Sequence, residues 1–158
     1  MKCKKTTWEK IMKCKWGMVM IVALTAGIAG SSKAESVSAF LGQSQAPGDY
    51  SCFTNSGGTV TNVCSTTRRF CTALTANHNS NTISVTVYAP NSSHNIGCFA
   101  QAVYSNGSGA GWTGMQYPGT MGSHQSVTLG SLFVPSYGGL YVCCDIAPTA
   151  KLDSISWW

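Results

Sequence analysis

The stretch Gly139-Leu140-Tyr141-Val142-Cys143-Cys144-Asp145-Ile146-Ala147-Pro148 decides how the rest of the chain must be arranged. Successive side chains of a strand point to opposite sides of a sheet. Leu140, Val142, Cys144 and Ile146 therefore share an apolar face, and Tyr141, Cys143 and Asp145 share the other. One cysteine looks into a core and its neighbour looks away from it. A bridge between the adjacent pair would close a strained ring, whereas ordinary bridges join neighbouring elements. Two separate disulfides are thus predicted to leave this strand.

Their partners lie upstream, among Cys52, Cys64, Cys71 and Cys98. An even set of six cysteines favours a disulfide framework if the chain leaves the reducing cytoplasm, and the N-terminus predicts that it does. Lys2, Lys4, Lys5, Lys10, Lys13 and Lys15 stand against a single Glu9, an uncharged run follows from Trp16 to Gly30, and Ser32-Lys33-Ala34 gives a small-x-small cleavage pattern. The uncharged run is shorter than the ~20 apolar residues of a membrane span. We read residues 1–34 as a cleaved signal peptide that removes Cys3 and Cys14. An uncleaved N-terminal anchor is the alternative that the long basic segment leaves open. The address is secreted or periplasmic.

Export changes the charge of the functional chain. The whole sequence carries a formal +5, but from residue 35 onward Arg68, Arg69 and Lys151 stand against Glu35, Asp49, Asp145 and Asp153, and three cations against four acids leave −1. Nucleic-acid binding needs clustered Lys and Arg to displace counterions from phosphates, so no nucleic-acid partner is expected.

Residues 35–48 are small and mostly polar and end at Pro47-Gly48, which reads as a linker or loose N-terminal arm. From 49 to 158, short runs of Val, Ile, Thr, Tyr and Phe alternate with Gly, Asn, Ser and Pro clusters. That pattern predicts one all-β domain, an antiparallel β-sandwich of jelly-roll or Ig-like type with about seven or eight short strands. The clearest strand is Thr82 to Tyr88; Gly97 to Tyr104 and Ser126 to Val134 follow. In the last, the apolar phase set by Val127 and Leu129 resumes one residue late at Leu132 and Val134, which predicts a β-bulge at Gly130-Ser131. Tyr50 to Thr54, Thr59 to Cys64, Phe70 to Leu74 and Leu152 to Trp157 are weaker strands, with one of Trp157 and Trp158 facing the core.

For the staples, the alternation predicts Cys98 with Cys144 inside the core, then Cys52 with Cys71, and by elimination Cys64 with Cys143. No CxxC occurs, and His78, His94 and His124 sit in separate polar turns, so no metal or cofactor is expected. GxSxG is absent and the acids are widely spread, so no catalytic residue is assigned.

The odd segment is Tyr104 to Gln125, YSNGSGAGWTGMQYPGTMGSHQ, in which glycines alternate with Trp112, Met115, Tyr117 and Met121. Trp112 and Tyr117, with Tyr137 in a later turn, are the candidate binding residues: amphipathic rings offer flat contact area with a polar handle to a sugar or a protein. Folding back of Trp112 and Tyr117 as a lid on the sandwich is the preferred alternative, because large aromatics dominate the cores of small domains.

The order Cys71, then Val85-Thr86-Val87-Tyr88-Ala89-Pro90, Cys98, Tyr141-Val142-Cys143-Cys144 with Pro148, and Ile155-Ser156-Trp157 resembles a group of small exported bacterial β proteins of no assigned activity. The resemblance covers Asp49 to Trp158, departs from the group in the doubled cysteine and in Cys64, and transfers no catalytic residue. Export, the cysteines and the lack of catalytic motifs point to a secreted or periplasmic, non-enzymatic β-sandwich, acting in surface recognition of a glycan or envelope protein or as an envelope or matrix component. A small secreted hydrolase or inhibitor using the Tyr104 to Gln125 segment is the competing reading.

Overall fold

The computed structural model describes residues 34–158; the expected signal peptide, apart from Ala34, lies outside the described residues. Eleven strands run through them: β1 (Glu35–Ser38), β2 (Gln43–Ser44), β3 (Phe53–Ser56), β4 (Thr59–Asn62), β5 (Arg68–Leu74), β6 (Ser80–Tyr88), β7 (Ile96–Val103), β8 (Gly109–Trp112), β9 (His124–Phe133), β10 (Gly139–Ile146) and β11 (Lys151–Trp157). They form two antiparallel sheets. In the six-stranded sheet the order is β3-β4-β11-β6-β9, with β1 also on β11; in the five-stranded sheet it is β2-β5-β10-β7-β8. The two pack as a β-sandwich, as the alternation predicts.

Central strand β10 shows how the sequence pattern becomes a layer. Leu140, Val142, Cys144 and Ile146 are each at most 1% exposed and join Val60, Ile83, Val85, Val87, Leu152 and Ile155 of the opposite sheet in one core. Each such side chain contributes roughly 1.5–3 kcal/mol by leaving water. Trp157 is buried while Trp158 is exposed, as alternation at the end of β11 requires.

The bulge in β9 falls one residue before its expected place. Ser84 pairs with Thr128 and Ile83 with Gly130, so Leu129 is the extra residue. Gly130 has φ of 126°, a conformation glycine adopts without penalty. The shift returns Leu129, Leu132 and Val134 to the core.

All six cysteines among the described residues are bridged, as Cys98–Cys144, Cys71–Cys143 and Cys52–Cys64. The core bridge is the one expected. The expected pairs Cys52–Cys71 and Cys64–Cys143 are replaced for a geometric reason. Cys71 lies directly opposite Cys143 in the β5–β10 register, and both point away from the core. Cys52 and Cys64 flank the open end of the β3–β4 hairpin, where the Val63 amide donates to the Cys52 carbonyl at 2.8 Å. Strand β10 is therefore tied to β7 on its inner side and to β5 on its outer side.

The segment 35–48 is not a loose arm. Glu35–Ser38 pairs with Trp157–Ser154, Gln43 and Ser44 pair with Cys71 and Phe70, and Ala39 between them is fully buried. Of the polar side chains that suggest a linker, Glu35, Ser36, Gln43 and Gln45 are exposed, while Ser44 is buried and donates to the Ala46 carbonyl at 2.7 Å. A further tie joins the sheets at one end. Asn62, fully buried in β4, donates from Nδ2 to the carbonyls of Ile146 at 2.6 Å and Thr66 at 2.8 Å and accepts from the Cys64 amide at 2.9 Å. Its polar atoms are thereby satisfied, which is the condition for burying an amide at tolerable cost.

Candidate functional site

The outer face of the five-stranded sheet is fixed by register. Opposite Tyr141, Cys143 and Asp145 of β10 stand Ala73, Cys71 and Arg69 of β5 on one side and Gln101, Phe99 and Gly97 of β7 on the other. Trp112 of β8 then pairs with Gln101. Directly opposed side chains in a sheet contact one another, so this face collects four kinds of group: aromatic rings, a disulfide, an amide and an ion pair.

Trp112 is 64% exposed. Its ring meets Phe99 edge-on, centroids 6.1 Å apart, and the Arg69 guanidinium lies over the same Phe99 ring, 5.3 Å from its centroid, within cation–π range. Arg69 in turn forms a two-pronged pair with Asp145, Nε–Oδ1 at 2.6 Å and Nη2–Oδ2 at 2.8 Å. The hydrogen bond to Asp145 raises the Arg69 pKa above the ordinary guanidinium value, desolvation opposes that shift, and the Asp145 charge adds to it. The two charges neutralise each other at the surface.

Tyr117 reaches the same face by a different route. After β8 the chain stays on the β7 edge: the Thr113 amide donates to the Ala100 carbonyl at 3.0 Å, and Gln116 and Cys98 exchange backbone hydrogen bonds at 2.8 and 2.9 Å. This brings the Tyr117 ring and the Met115 sulfur over Gly97, whose missing side chain leaves them room; a Cβ there would lie 2.6 Å from the ring and 2.9 Å from the sulfur. Tyr117 remains 58% exposed. Neither Trp112 nor Tyr117 folds back as a lid, because the segment that carries them is itself an edge of the sheet.

Tyr137 is not brought to this face. It sits in the β9–β10 turn with φ of 61°, 85% exposed, its ring 6.0 Å from that of His78. Phe99, Gln101, Tyr141 and Arg69 were not among the sequence candidates. Their signal was available, since all of them occupy the outward phase of their strands, but only register shows that the phases converge.

Two shallow depressions mark the face. One of about 420 Å³ is lined by Phe99, Gln101, Gly109, Ala110, Gly111 and Trp112. The other, of about 270 Å³, involves Leu41 to Gln45, Cys71, Ala73 and Tyr141.

Among the described residues no group of three or more His, Cys, Asp or Glu is placed to hold a metal ion. His124 pairs through Nδ1 with Asp153 at 2.6 Å on the outer face of the six-stranded sheet. Asp145 lies on the opposite outer face. No described helix is long and apolar enough to cross a membrane.

No protein-family model and no curated protein matches the sequence. Among solved structures the chain is similar to the C-terminal CBM6 of LamC, a marine laminarinase from Zobellia galactanivorans (TM-score 0.49, 10% identity, 79% of this chain and 98% of that one). It is also similar to the GH26-CBM35 β-(1,4)-mannanase of Podospora anserina (TM-score 0.48, 14% identity, 78% of this chain), of which it spans 27%. A third similarity is to the C-terminal family 22 carbohydrate binding module of Clostridium thermocellum Xyn10B (TM-score 0.41, 17% identity, 82% and 86%). These likenesses assign no role to any residue here, and the site stands on its own geometry.

Proposed function

We propose that the chain is an exported, non-enzymatic glycan-binding domain whose ligand lies on the outer face of the five-stranded sheet. The observation that carries this reading is the exposure of Trp112 at 64% on a sheet face where Phe99 and Gln101 hold it in place. Aromatic surface left in water costs roughly 25 cal/mol per Å², and nothing within the described chain covers this ring. A flat aromatic surface suits the apolar face of a pyranose, while the Gln101 amide supplies donors and an acceptor for sugar hydroxyls. Exposed apolar groups rimmed by polar ones are the usual mark of a recognition surface. Export is supported by the basic and apolar N-terminal sequence together with three formed bridges.

The test is a glycan array combined with pull-down from host envelope, run on the wild type and on the Trp112→Ala, Tyr117→Ala double variant. The expected result is glycan retention by the wild type and a loss of at least about tenfold in the variant, the scale of a truncated aromatic anchor. Equal retention by both proteins removes this face as the binding surface. Capture of an envelope protein with no glycan signal supports the protein-recognition reading instead.

A further inference from the structure

The depression beside Trp112 has a counterpart across the sheet, and the residues between them form a continuous row. Ala73, Tyr141, Gln101 and Trp112 are direct cross-strand neighbours on β5, β10, β7 and β8. Gln43 of β2 extends the face by one more strand through its pairing with Cys71. Tyr141, 40% exposed, borders the depression that involves Leu41 to Gln45, Cys71 and Ala73. Its cross-strand neighbour Gln101 lines the one beside Trp112. With strands about 4.8 Å apart, the four steps from β2 to β8 span roughly 19 Å.

Resting on the glycan reading above, we propose that the site has a second subsite, built by Leu41 to Gln45 and Tyr141, and that its ligand class is an extended neutral oligosaccharide lying across the strands. A mono- or disaccharide at Trp112 reaches one depression only. A longer chain crosses Tyr141, which stands between Gln101 and the second depression, and enters that depression, where Leu41 is 61% exposed and the Gln43 amide supplies hydrogen bonds. Neutrality follows from the charges of the face: its one guanidinium is already engaged in both directions by Asp145, so it offers no free cation to a uronate chain. The N-terminal segment 41–45 thus acquires a binding role that its composition does not suggest.

The probes are neutral β-linked gluco-, xylo- and manno-oligosaccharides from disaccharide to octasaccharide, with oligogalacturonates as the charged comparison, titrated by calorimetry against wild type, Tyr141→Ala, Gln43→Ala and Trp112→Ala. For at least one neutral series, wild-type affinity should rise by about tenfold or more with chain length, as a second linked contact provides. Tyr141→Ala and Gln43→Ala should each flatten that rise, so that long chains bind no tighter than the disaccharide, whereas Trp112→Ala should weaken every length. The exposure of all three positions keeps the variants folded, which circular dichroism checks. Binding without length dependence, Tyr141→Ala and Gln43→Ala both matching wild type at every length, or preference for the galacturonates overturns the second subsite while leaving the sheet face as a glycan surface. Absence of binding by the wild type to any probe on this panel or the array overturns both readings.

Discussion

The two outer faces of the sandwich are built on the same period-two pattern and present opposite chemistry. On the five-stranded sheet the outward positions hold Trp112, Phe99, Tyr141, Gln101, the Cys71–Cys143 bridge and the Arg69–Asp145 pair. On the six-stranded sheet they hold ranks of hydroxyls. Ser36, Ser156, Ser84 and Thr128 align across four strands, and Ser38, Ser154, Thr86 and Ser126 form the next rank. Several of these satisfy one another: Ser84 with Ser126 and Thr82 with Ser131, both at 2.7 Å. Charge enters that face only at one end, where Lys151 lies 5.3 Å from the Tyr88 centroid and His124 meets Asp153.

The contrast teaches where to look for function in a domain of this kind. Hydroxyls on β-branched or small residues are what a solvated strand face ordinarily carries, and their mutual hydrogen bonds leave little to explain. Exposed rings on a sheet face do call for an explanation, because water penalises them and the core does not cover them. Exposed rings occur on the other sheet too, as Phe133 does, but on the five-stranded face Trp112, Phe99 and Tyr141 line depressions.

The strongest way to break the contrast is to cut the bridge beneath the aromatic face. Replacing Cys71 and Cys143 together by serine should lower stability by about 2–4 kcal/mol, read as a lower denaturant midpoint, and should weaken glycan binding because β5 and β10 carry Arg69 and Tyr141. Retained stability would show that the hydrogen-bonded ladder alone holds the face. Trp112→Ala should reduce affinity by at least about tenfold, with stability within about 0.5 kcal/mol of wild type as expected of an exposed position. A smaller effect is expected from Gly97→Ala. The new methyl must displace Tyr117 and Met115, which are movable side chains, so binding should fall severalfold at a stability cost of about 1 kcal/mol or less. The smallest concerns the other face: Ser84→Ala with Ser126→Ala removes both partners of one hydrogen bond, a change that is nearly neutral for stability and should leave glycan affinity unchanged.

Much of this contrast was legible before any coordinates. The alternation in Leu140 to Ile146 placed one cysteine in and one out, and the pairing of Cys98 with Cys144 followed. The outer bridge was equally within reach. Cys71 alternates with Phe70 and Thr72, so it shares the outward phase of Arg69 and Ala73, as Cys143 shares that of Tyr141 and Asp145. The hairpin bridge was harder, because Phe53–Ser56 and Thr59–Asn62 are short and polar, and their closure depends on the Gly57-Gly58 turn, where both glycines have positive φ. Strands β1, β2 and β8 escaped sequence reading for one physical reason. Each has only two to four residues of low intrinsic strand preference, and each exists because a longer neighbour offers an unpaired edge. Two of them, β2 and β8, are the borders of the candidate site, which is why Trp112 could be named from sequence while the second depression could not.

The central claim is that ligand occupies one outer face and not the other. Backbone amide chemical shifts, followed by NMR while a glycan retained on the array is titrated in, test it most directly. The account predicts shifts concentrated at Phe99, Gln101, Trp112, Tyr117 and Tyr141, with Thr86, Ser126 and Ser154 unmoved; shifts centred on the hydroxyl ranks, with Trp112 silent, would contradict it.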